Sequence, residues 1–295
     1  MHSNLNKPEN TKMKRYMVGA LVTLALLASV HVVGYSAKAI TIKGSDTMVI
    51  LGQRWAELYM SKTPGAVLQV TGGGSGTGIA ALINGTTDVC QASRPMKTSE
   101  RTKLKERYFT TGTEIAVAKD GLTVYLHESN PLTQLTLDQL KSIYVGDVTN
   151  WKDVGGKDEE ITVYGRENNS GTYVFFKDNV LMGDDFSPMV ATLPGTASVV
   201  NAVSKDPTGI GYGGAAYGKG IKFCPIAATA ADSAFMPDAE HVGNGKYPLS
   251  RDLYWYLRNK PEGDIKKLVD WVLSPDGQAV VMTAGYFPVQ TEKKE

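Results

Sequence analysis

The stretch Val70–Leu82, with the sequence VTGGGSGTGIAAL, decides how the rest of the chain is interpreted. The apolar run before it, Ala66–Val70, follows a Pro-Gly pair and predicts a β-strand. The residues after the glycines, Ile79–Ile83, are good helix formers that end at an Asn-Gly pair, which predicts a helix. Glycines let the backbone adopt positive φ and let a bound group approach the main chain closely. The stretch therefore predicts a strand, a loop without bulky side chains and a helix that begins in that loop.

This loop has the chemistry of an anion-binding site. A helix N-terminus has unpaired N–H groups and a partial positive charge, and both favour an anion. Ser75 and Thr77, on either side of Gly76, add uncharged hydroxyl donors. The loop is not a P-loop, because Ile79 and not Lys follows its last glycine, and Gly78 comes one position too early for the dinucleotide pattern G-x-G-x-x-G. We predict a cradle for a small oxyanion; a flexible surface loop is the alternative.

The composition limits the class of protein. The chain has 295 residues, of which 42% are hydrophobic and 21% charged, with a formal net charge of +1. This length is enough for two domains of roughly 100–200 residues each. A nearly neutral chain argues against nucleic acid as the main partner, because binding to a phosphate backbone needs a basic surface. An anionic ligand would therefore be held by local dipoles and not by the overall field.

The N-terminus is predicted to be a signal peptide that covers residues 1–39. Basic residues at positions 12, 14 and 15 precede the apolar stretch Met17–Val33, and an A-x-A motif ends at Ala39, after which we expect cleavage. An uncleaved anchor helix is the alternative, although the apolar stretch is short for a membrane span. An exported chain meets an oxidising compartment, so Cys90 and Cys224 could form one disulfide. Two buried free thiols are the alternative.

A second junction of the same kind lies at the start of the mature chain. Ile40–Lys43 alternates as a strand, Ser45, Asp46 and Thr47 follow in the loop, and apolar residues then recur at helical spacing through Tyr59. Helix capping is the alternative role for the serine and the aspartate, because both are preferred N-cap residues. This junction repeats the order strand, small polar loop and helix.

A third junction follows the strand Ile161–Tyr164. Its loop contains Arg166 and then Ser170, Gly171 and Thr172, directly before the next apolar helix. The tripeptide Ser-Gly-Thr is the same one that the glycine-rich loop contains, at the same kind of junction. Three such junctions in one exported chain favour a binding site over coincidence.

A further pair of candidate ligands follows the strand Thr87–Ala92. Ser93 and Arg94 lie at the carboxyl end of this strand, just before a proline. A guanidinium group matches two oxygens of an oxyanion at once, so Arg94 is a candidate anion ligand. An ordinary surface ion pair is the alternative.

Alternating strands and helices predict an α/β fold with mostly parallel pairing, in which ligands bind beyond the carboxyl ends of the strands. The long strand Glu114–Leu126 has a charged, glycine-containing break and is expected to run from one domain into another. We expect residues 40–120 and 220–295 to form one lobe and residues 121–219 the other, with crossovers near Ala118–Leu122 and Gly218–Cys224. None of the four histidines, His2, His31, His127 and His241, lies in a cluster at metal-ligand spacing, so we predict no metal, cofactor or catalytic residue.

Taken together, these motifs resemble the periplasmic phosphate-binding proteins of ABC-type phosphate importers, the PstS-like group. The resemblance covers essentially the mature chain. The matching segments are Gly44–Met48, Thr71–Gly78, Ala92–Arg94, Arg166–Thr172, Gly209–Tyr212, Tyr247–Arg251 and Ser274–Gln278. It implies a type II periplasmic-binding-protein fold, with two lobes, a hinge and a ligand cleft between the lobes.

The resemblance also implies a set of phosphate contacts. The predicted phosphate-binding residues are Ser45, Asp46, Thr47, Ser75, Gly76, Thr77, Ser93, Arg94, Arg166, Ser170, Gly171 and Thr172. At the position of Arg94, the best-known members have an aspartate that accepts the proton of phosphate. We hypothesise that Asp46 takes over as the acceptor from the first loop.

The function that the resemblance implies is capture of inorganic phosphate in the periplasm and its delivery to an ABC-type permease in the inner membrane, by a monomer without a cofactor. An extracellular phosphate sensor or scavenger, and a binder of another tetrahedral oxyanion, are alternatives of the same class. A periplasmic phosphatase is the alternative from a different class, and it would need a nucleophile with a base, or two metal ions.

Overall fold

The computed structural model describes residues 38–289, so the predicted signal peptide lies almost entirely outside the described residues. Its strands are β1 (Ile40–Gly44), β2 (Leu68–Thr71), β3 (Val89–Ala92), β4 (Thr113–Leu126), β5 (Leu135–Thr136), β6 (Thr162–Arg166), β7 (Ala191–Leu193), β8 (Gly209–Gly214), β9 (Lys222–Cys224), β10 (Ile226–Ala227) and β11 (Ser250–Leu257). Its α-helices are α1 (Val49–Lys62), α2 (Ser75–Asn84), α3 (Thr98–Tyr108), α4 (Leu137–Val145), α5 (Gly171–Asn179), α6 (Gly195–Val203), α7 (Ala239–Gly243), α8 (Gly263–Val272) and α9 (Pro275–Thr283). No helix within this range is long and apolar enough to cross a membrane.

Nine of the strands form one sheet with the order β2-β1-β3-β11-β4-β8-β6-β7, in which β9 also pairs with β4. The outer strands of each half pair in parallel, β1 with β2 and β3, and β6 with β7 and β8. The central pairs of β11 and β4 are antiparallel. The pairing is thus more mixed than the sequence predicted, because β4 and β11 carry the chain between the two halves in opposite directions.

Strand β4 belongs to both halves of the sheet. Its residues Thr113–Gly121 pair with β11, and its residues Leu122–Leu126 pair with β8. The long strand therefore runs from one half into the other, as its interrupted apolar pattern predicted. The change of partner falls directly after Gly121, within the predicted crossover.

Each half of the sheet has helices on both faces, which gives two lobes of three layers. In the first lobe, α1, α8 and α9 cover one face, and α2 and α3 cover the other. In the second lobe, α4 and α5 cover one face, and α6 packs on the opposite one through Val199 and Val203. The sequence pattern explains these layers, because buried strands of parallel sheets need apolar cover on both sides.

The sequence predicts that the chain returns to the first lobe near Gly218–Cys224. Strand β9 pairs with the second-lobe part of β4, and Cys224, Ile226 and Leu249 belong to the same hydrophobic core as Leu122. Only with β11 does the chain again pair with β3. We therefore propose that the second lobe extends from Leu122 to Leu249, with the return crossover at the start of β11.

The possible disulfide between Cys90 and Cys224 is not present in the structure. Cys90 in β3 and Cys224 in β9 are both buried free thiols, and they lie in the cores of different lobes. Burial raises the pKa of Cys224 to about 12 and that of Cys90 still further, so both remain protonated at neutral pH. The alternative of two buried thiols is the correct one.

Candidate functional site

Three hydroxyl groups of the first lobe meet at the carboxyl ends of β1, β2 and β3. The Ser45 hydroxyl donates to Ser93 Oγ at 2.9 Å, and Ser75 Oγ accepts the Ser93 N–H at 3.0 Å. The Ser75 and Ser93 oxygens are 3.4 Å apart. Gly44 permits this approach, since a Cβ at Gly44 would lie only 2.1 Å from the carbonyl oxygen of Gln91 in β3. We call Ser45, Ser75 and Ser93 the hydroxyl cluster.

The N-terminus of α5, in the second lobe, packs directly on the hydroxyl cluster. Ser170 caps this helix, because its hydroxyl accepts the N–H groups of Thr172 and Tyr173 at 3.2 and 3.3 Å. A Cβ placed on Gly171 would lie 2.3 Å from Ser75 Oγ and 2.7 Å from Ser93 Oγ. Glycine is therefore required at this position for the two lobes to meet as they do.

The first loop contacts the second lobe through two side chains. The hydroxyl groups of Thr47 and Thr172 form a hydrogen bond of 2.9 Å, and both residues are buried. The carboxylate of Asp46 accepts a hydrogen bond from Arg166 at 2.8 Å through one oxygen and from the Gly73 N–H at 2.7 Å through the other. Ser45, the N-cap residue of the short helix Asp46–Met48, makes no side-chain capping hydrogen bond, so capping does not explain this serine.

Arg166 is the buried cation of this region. Its side chain is 1% exposed and donates to Asp46 and, at 2.9 Å, to the hydroxyl of Thr196 at the start of α6. Its Nε is buried and makes no hydrogen bond within residues 38–289. A buried guanidinium normally satisfies its donors, so this N–H is available for a further acceptor.

Arg94 is not part of this arrangement. Its guanidinium forms a two-pronged ion pair with Glu100 in the first turn of α3, at 2.8 and 2.7 Å, and also donates to the carbonyl oxygen of Pro95. Burial alone would raise the pKa of Glu100, but the hydrogen bonds and charges of Arg94 and Lys97 outweigh it and lower that pKa. The structure thus gives Arg94 an ion pair, the alternative to an anion ligand, although the pair is mostly buried.

Gly76 and Thr77 of the glycine-rich loop have partners in the second lobe. The Gly76 N–H donates to the carbonyl oxygen of Asn169, and the Thr77 hydroxyl accepts from the Asn169 side-chain amide. These groups therefore connect the lobes in the structure, and do not bond to the hydroxyl cluster.

Several residues near the site were not predicted from the sequence. Tyr217 donates its hydroxyl to the carbonyl oxygen of Asp46 at 2.5 Å, and Tyr286 donates to that of Thr47. No local pattern marks these tyrosines, because they reach the first loop from distant parts of the chain. Thr196 could have been found, since it opens a helix after a Pro-Gly pair at the end of another strand.

A second buried ion pair connects the crossover strands to the site. Arg251 in β11 donates through Nε and Nη2 to one oxygen of Asp120 in β4, at 3.0 and 2.7 Å. Its Nη1 donates to the carbonyl oxygen of Ser93 at 3.3 Å, and its guanidinium lies 5.3 Å from the ring centre of Phe175 in α5. This pair thus contacts both sides of the site from between the lobes.

Comparison with known proteins places the chain in a family. A family model described as a PBP superfamily domain matches residues 30–276. The phosphate-binding protein PstS of Pseudomonas aeruginosa is 36% identical over 269 residues, which cover 85% of this chain and 83% of that protein. The chain belongs to the PstS family of the PBP superfamily. Another PstS, from Staphylococcus haemolyticus, is 31% identical over 265 residues, which cover 86% of this chain and 82% of that protein.

Solved structures agree with membership in the PstS family. A candidate phosphate ABC transporter substrate-binding protein from Clostridium perfringens, solved with bound phosphate, matches with a TM-score of 0.77 and 27% identity, over 86% of this chain and all of that one. An ABC-type phosphate transport receptor from Vibrio cholerae matches with a TM-score of 0.68 and 28% identity, over 85% of this chain and all of that one. The two-lobed fold expected from the sequence is thereby confirmed.

Proposed function

We propose that the mature protein captures inorganic phosphate between its lobes and delivers it to an ABC-type permease. The observation that carries this proposal is the meeting of the hydroxyl cluster, the N-terminus of α5 and the buried Arg166 at one place. Helix N-termini and hydroxyls suit a small oxyanion, and a guanidinium supplies the positive charge. Membership in the PstS family, and the phosphate-bound relative, support the same ligand.

The proposed contacts divide between the lobes. Hydroxyl donors come from the hydroxyl cluster and Thr47 in the first lobe, and from Ser170 and Thr172 in the second. Arg166 provides the charge, and its Nε, which has no hydrogen-bond partner among residues 38–289, is a donor for a phosphate oxygen. We leave Arg94 out of the contact set because Glu100 holds its guanidinium. Gly76 and Thr77 remain in the proposal as part of the loop that the anion approaches.

The proposed mechanism is binding followed by closure. Phosphate docks on the dipoles and hydroxyls of the first lobe, and the second lobe then closes and brings Arg166 to the anion. Because the ligand contacts both lobes only in the closed form, it shifts the population towards that form. Bending takes place where β4 and β11 pass between the lobes.

Asp46 is the proposed reader of the phosphate proton. Phosphate keeps at least one proton near neutral pH, which a carboxylate can accept, whereas sulfate has none and would bring a negatively charged oxygen against the carboxylate. Loss of a charge-assisted hydrogen bond in a buried site costs about 1.5–3 kcal/mol, so this acceptor discriminates against sulfate. The two hydrogen bonds that Asp46 accepts hold its carboxylate at the junction of the lobes.

We further propose that the protein is a monomer that is exported to the periplasm, is cleaved after Ala39 and performs no chemistry on its ligand. The serine hydroxyls of the site support this last point, because they bond to one another and to backbone groups. The imidazoles of His127 and His241 bond instead to Ser129 and Asp238. The site thus binds its ligand without a nucleophile and base in contact.

The test is calorimetric titration of the mature chain, stripped of bound anion, with phosphate, sulfate, molybdate and arsenate, together with thermal unfolding. Phosphate at 100 times its dissociation constant should add about 2.7 kcal/mol to the free energy of unfolding, and sulfate much less. Arg166→Ala should abolish the effect of phosphate, and Arg54→Ala, a variant on the exposed face of α1, should keep it. Equal binding of sulfate, or no binding of phosphate, would refute the proposal.

A further inference from the structure

We propose that Asn169 is an interlobe latch: it holds the lobes together across the glycine-rich loop and sets the rate at which the ligand leaves. This inference rests on the proposed function and names a residue that controls release at the same site. Asn169 lies in the loop between β6 and α5 of the second lobe. All the hydrogen bonds that carry the inference reach across to the first lobe.

Three hydrogen bonds join Asn169 to the loop between β2 and α2. Its side-chain amide donates to the carbonyl oxygen of Gly73 at 3.1 Å and to Thr77 Oγ1 at 3.3 Å. Its own carbonyl oxygen accepts the Gly76 N–H at 2.9 Å. Within residues 38–289 its side chain makes no hydrogen bond to its own lobe, so a role confined to that lobe does not explain the amide group.

Gly74 and Gly76 of the first lobe leave the space that Asn169 occupies. A Cβ on Gly74 would lie 2.7 Å from the Asn169 carbonyl oxygen and 3.2 Å from its Cγ. A Cβ on Gly76 would lie 3.2 Å from the same carbonyl oxygen. The absence of side chains at these two positions is therefore what lets Asn169 lie against the loop.

The hydrogen bond between the Gly76 N–H and the Asn169 carbonyl oxygen also provides a cap for the N-terminus of α2 when the lobes close. The first N–H groups of a helix have no partner within the helix and need another acceptor. Helix α2 has no side-chain cap of its own, since Gly74 occupies the N-cap position. Asn169 supplies the missing acceptor from the other lobe. When the lobes separate, the Gly76 N–H loses this acceptor and bonds to water instead. The helix is thus capped from the opposite lobe, and only in the closed arrangement.

A contact of this kind acts on release more than on capture. Asn169 bonds to the loop and not to the hydroxyl cluster, so the first encounter of the anion with the open first lobe does not depend on it. Opening, in contrast, must break its three bonds before the ligand leaves. We therefore expect Asn169 to affect mainly the dissociation rate. This agrees with the general rule that affinity differences between related complexes lie mostly in the dissociation rate.

The test compares Asn169→Ala with Asn168→Ala, which alters the neighbouring exposed residue. Stopped-flow measurements should show phosphate release roughly tenfold faster for Asn169→Ala, from the loss of two neutral hydrogen bonds, with the association rate within about twofold. Asn168→Ala should behave as the parent protein. An unchanged release rate in Asn169→Ala, or an equal acceleration in Asn168→Ala, would overturn the proposal.

A second measurement separates the latch from the proposed ligand. Fluorophores attached through Lys105→Cys in α3 and Asp178→Cys in α5, both exposed, report the distance between lobes in single molecules. The closed dwell time should be roughly tenfold shorter in Asn169→Ala, with and without phosphate. An unchanged dwell time would refute the latch even if phosphate binds. Failure of the parent protein to bind phosphate, with a shortened dwell time, would refute only the proposed function.

Discussion

The carboxylate of Asp46 and the guanidinium of Arg166, separated by 120 positions in the sequence, lie 2.8 Å apart and join the two lobes. One partner comes from the loop after β1 and the other from the end of β6, so the pair exists only when the lobes approach. Removing either partner leaves the other largely buried without a counter-charge, which strongly destabilises the closed form of the protein. The pair thus connects closure to the charge balance of the proposed anion site.

The first prediction concerns selectivity. Asp46→Asn should narrow the preference for phosphate over sulfate by about tenfold, because an amide oxygen accepts the phosphate proton less strongly and no longer repels sulfate. Calorimetric titration of both anions at neutral pH measures this ratio. Asp276→Asn changes an exposed aspartate far along the chain and is the matched control. Unchanged selectivity in Asp46→Asn would remove Asp46 from the role of proton acceptor.

The second prediction concerns the fit between the lobes. Gly171→Ala places a methyl group against Ser75 and Ser93 only when the lobes are closed. Phosphate affinity should therefore fall by about a hundredfold or more, while the melting temperature without phosphate does not decrease, since alanine is the better helix former. Gly243→Ala, where a Cβ would have open space, is the control. Full phosphate affinity in Gly171→Ala would contradict the observed closure.

The third prediction concerns Glu100 and the role of Arg94. The pKa of Glu100 is lowered from its ordinary value of 4.5, so its ion pair stabilises the fold above that pH and loses this contribution as the pH falls through the lower, folded-state pKa. Glu100→Gln should reduce the free energy of unfolding by roughly 1–3 kcal/mol at pH 7, and the difference should shrink in acid. Denaturant unfolding across this pH range measures the effect.

The matched control for that experiment is Glu106→Gln, at an exposed position on the same helix. Phosphate affinity should stay within about twofold in Glu100→Gln, because Arg94 serves the fold and not the anion. A large loss of affinity would return Arg94 to the set of phosphate contacts.

The fourth prediction concerns the cysteines. A reducing agent should leave the melting temperature unchanged, because Cys90 and Cys224 are free thiols in separate cores. A thiol reagent should modify both residues only after addition of denaturant, since burial keeps them protonated and inaccessible. A melting temperature that drops by several degrees on reduction would show that a disulfide forms after all.

The local parts of the site could be predicted from the sequence. Ser75 and Ser170 each lie at a junction of strand, loop and helix, and the residues that define such a junction are neighbours in the chain. The carboxyl ends of neighbouring parallel strands lie at one edge of a sheet, so the loops of β1, β2 and β3 were expected together. The interrupted apolar pattern of β4 likewise indicated a strand shared by two lobes.

The remaining features depend on contacts that no local pattern contains. Arg94 could pair with an anion or with a carboxylate of the protein. The start of α3 decides this, because it places the Glu100 carboxylate next to Arg94. Asn169 and Tyr217 owe their roles to the approach of the other lobe. The apolar run around Cys224 predicts a strand but not which half of the sheet it joins, and in the structure this strand pairs with the second-lobe part of β4.

The shared strand β4 also determines how the protein denatures. Its middle residues Ala118, Asp120 and Leu122 are fully shielded from water, and their hydrogen-bonding partners lie in both halves of the sheet. Unfolding of either half would remove the hydrogen-bonding partners of one end of this strand and expose the buried Asp120–Arg251 charges to solvent. The two halves are therefore expected to unfold in one cooperative step, and calorimetry of the folded chain should give a single heat-absorption peak.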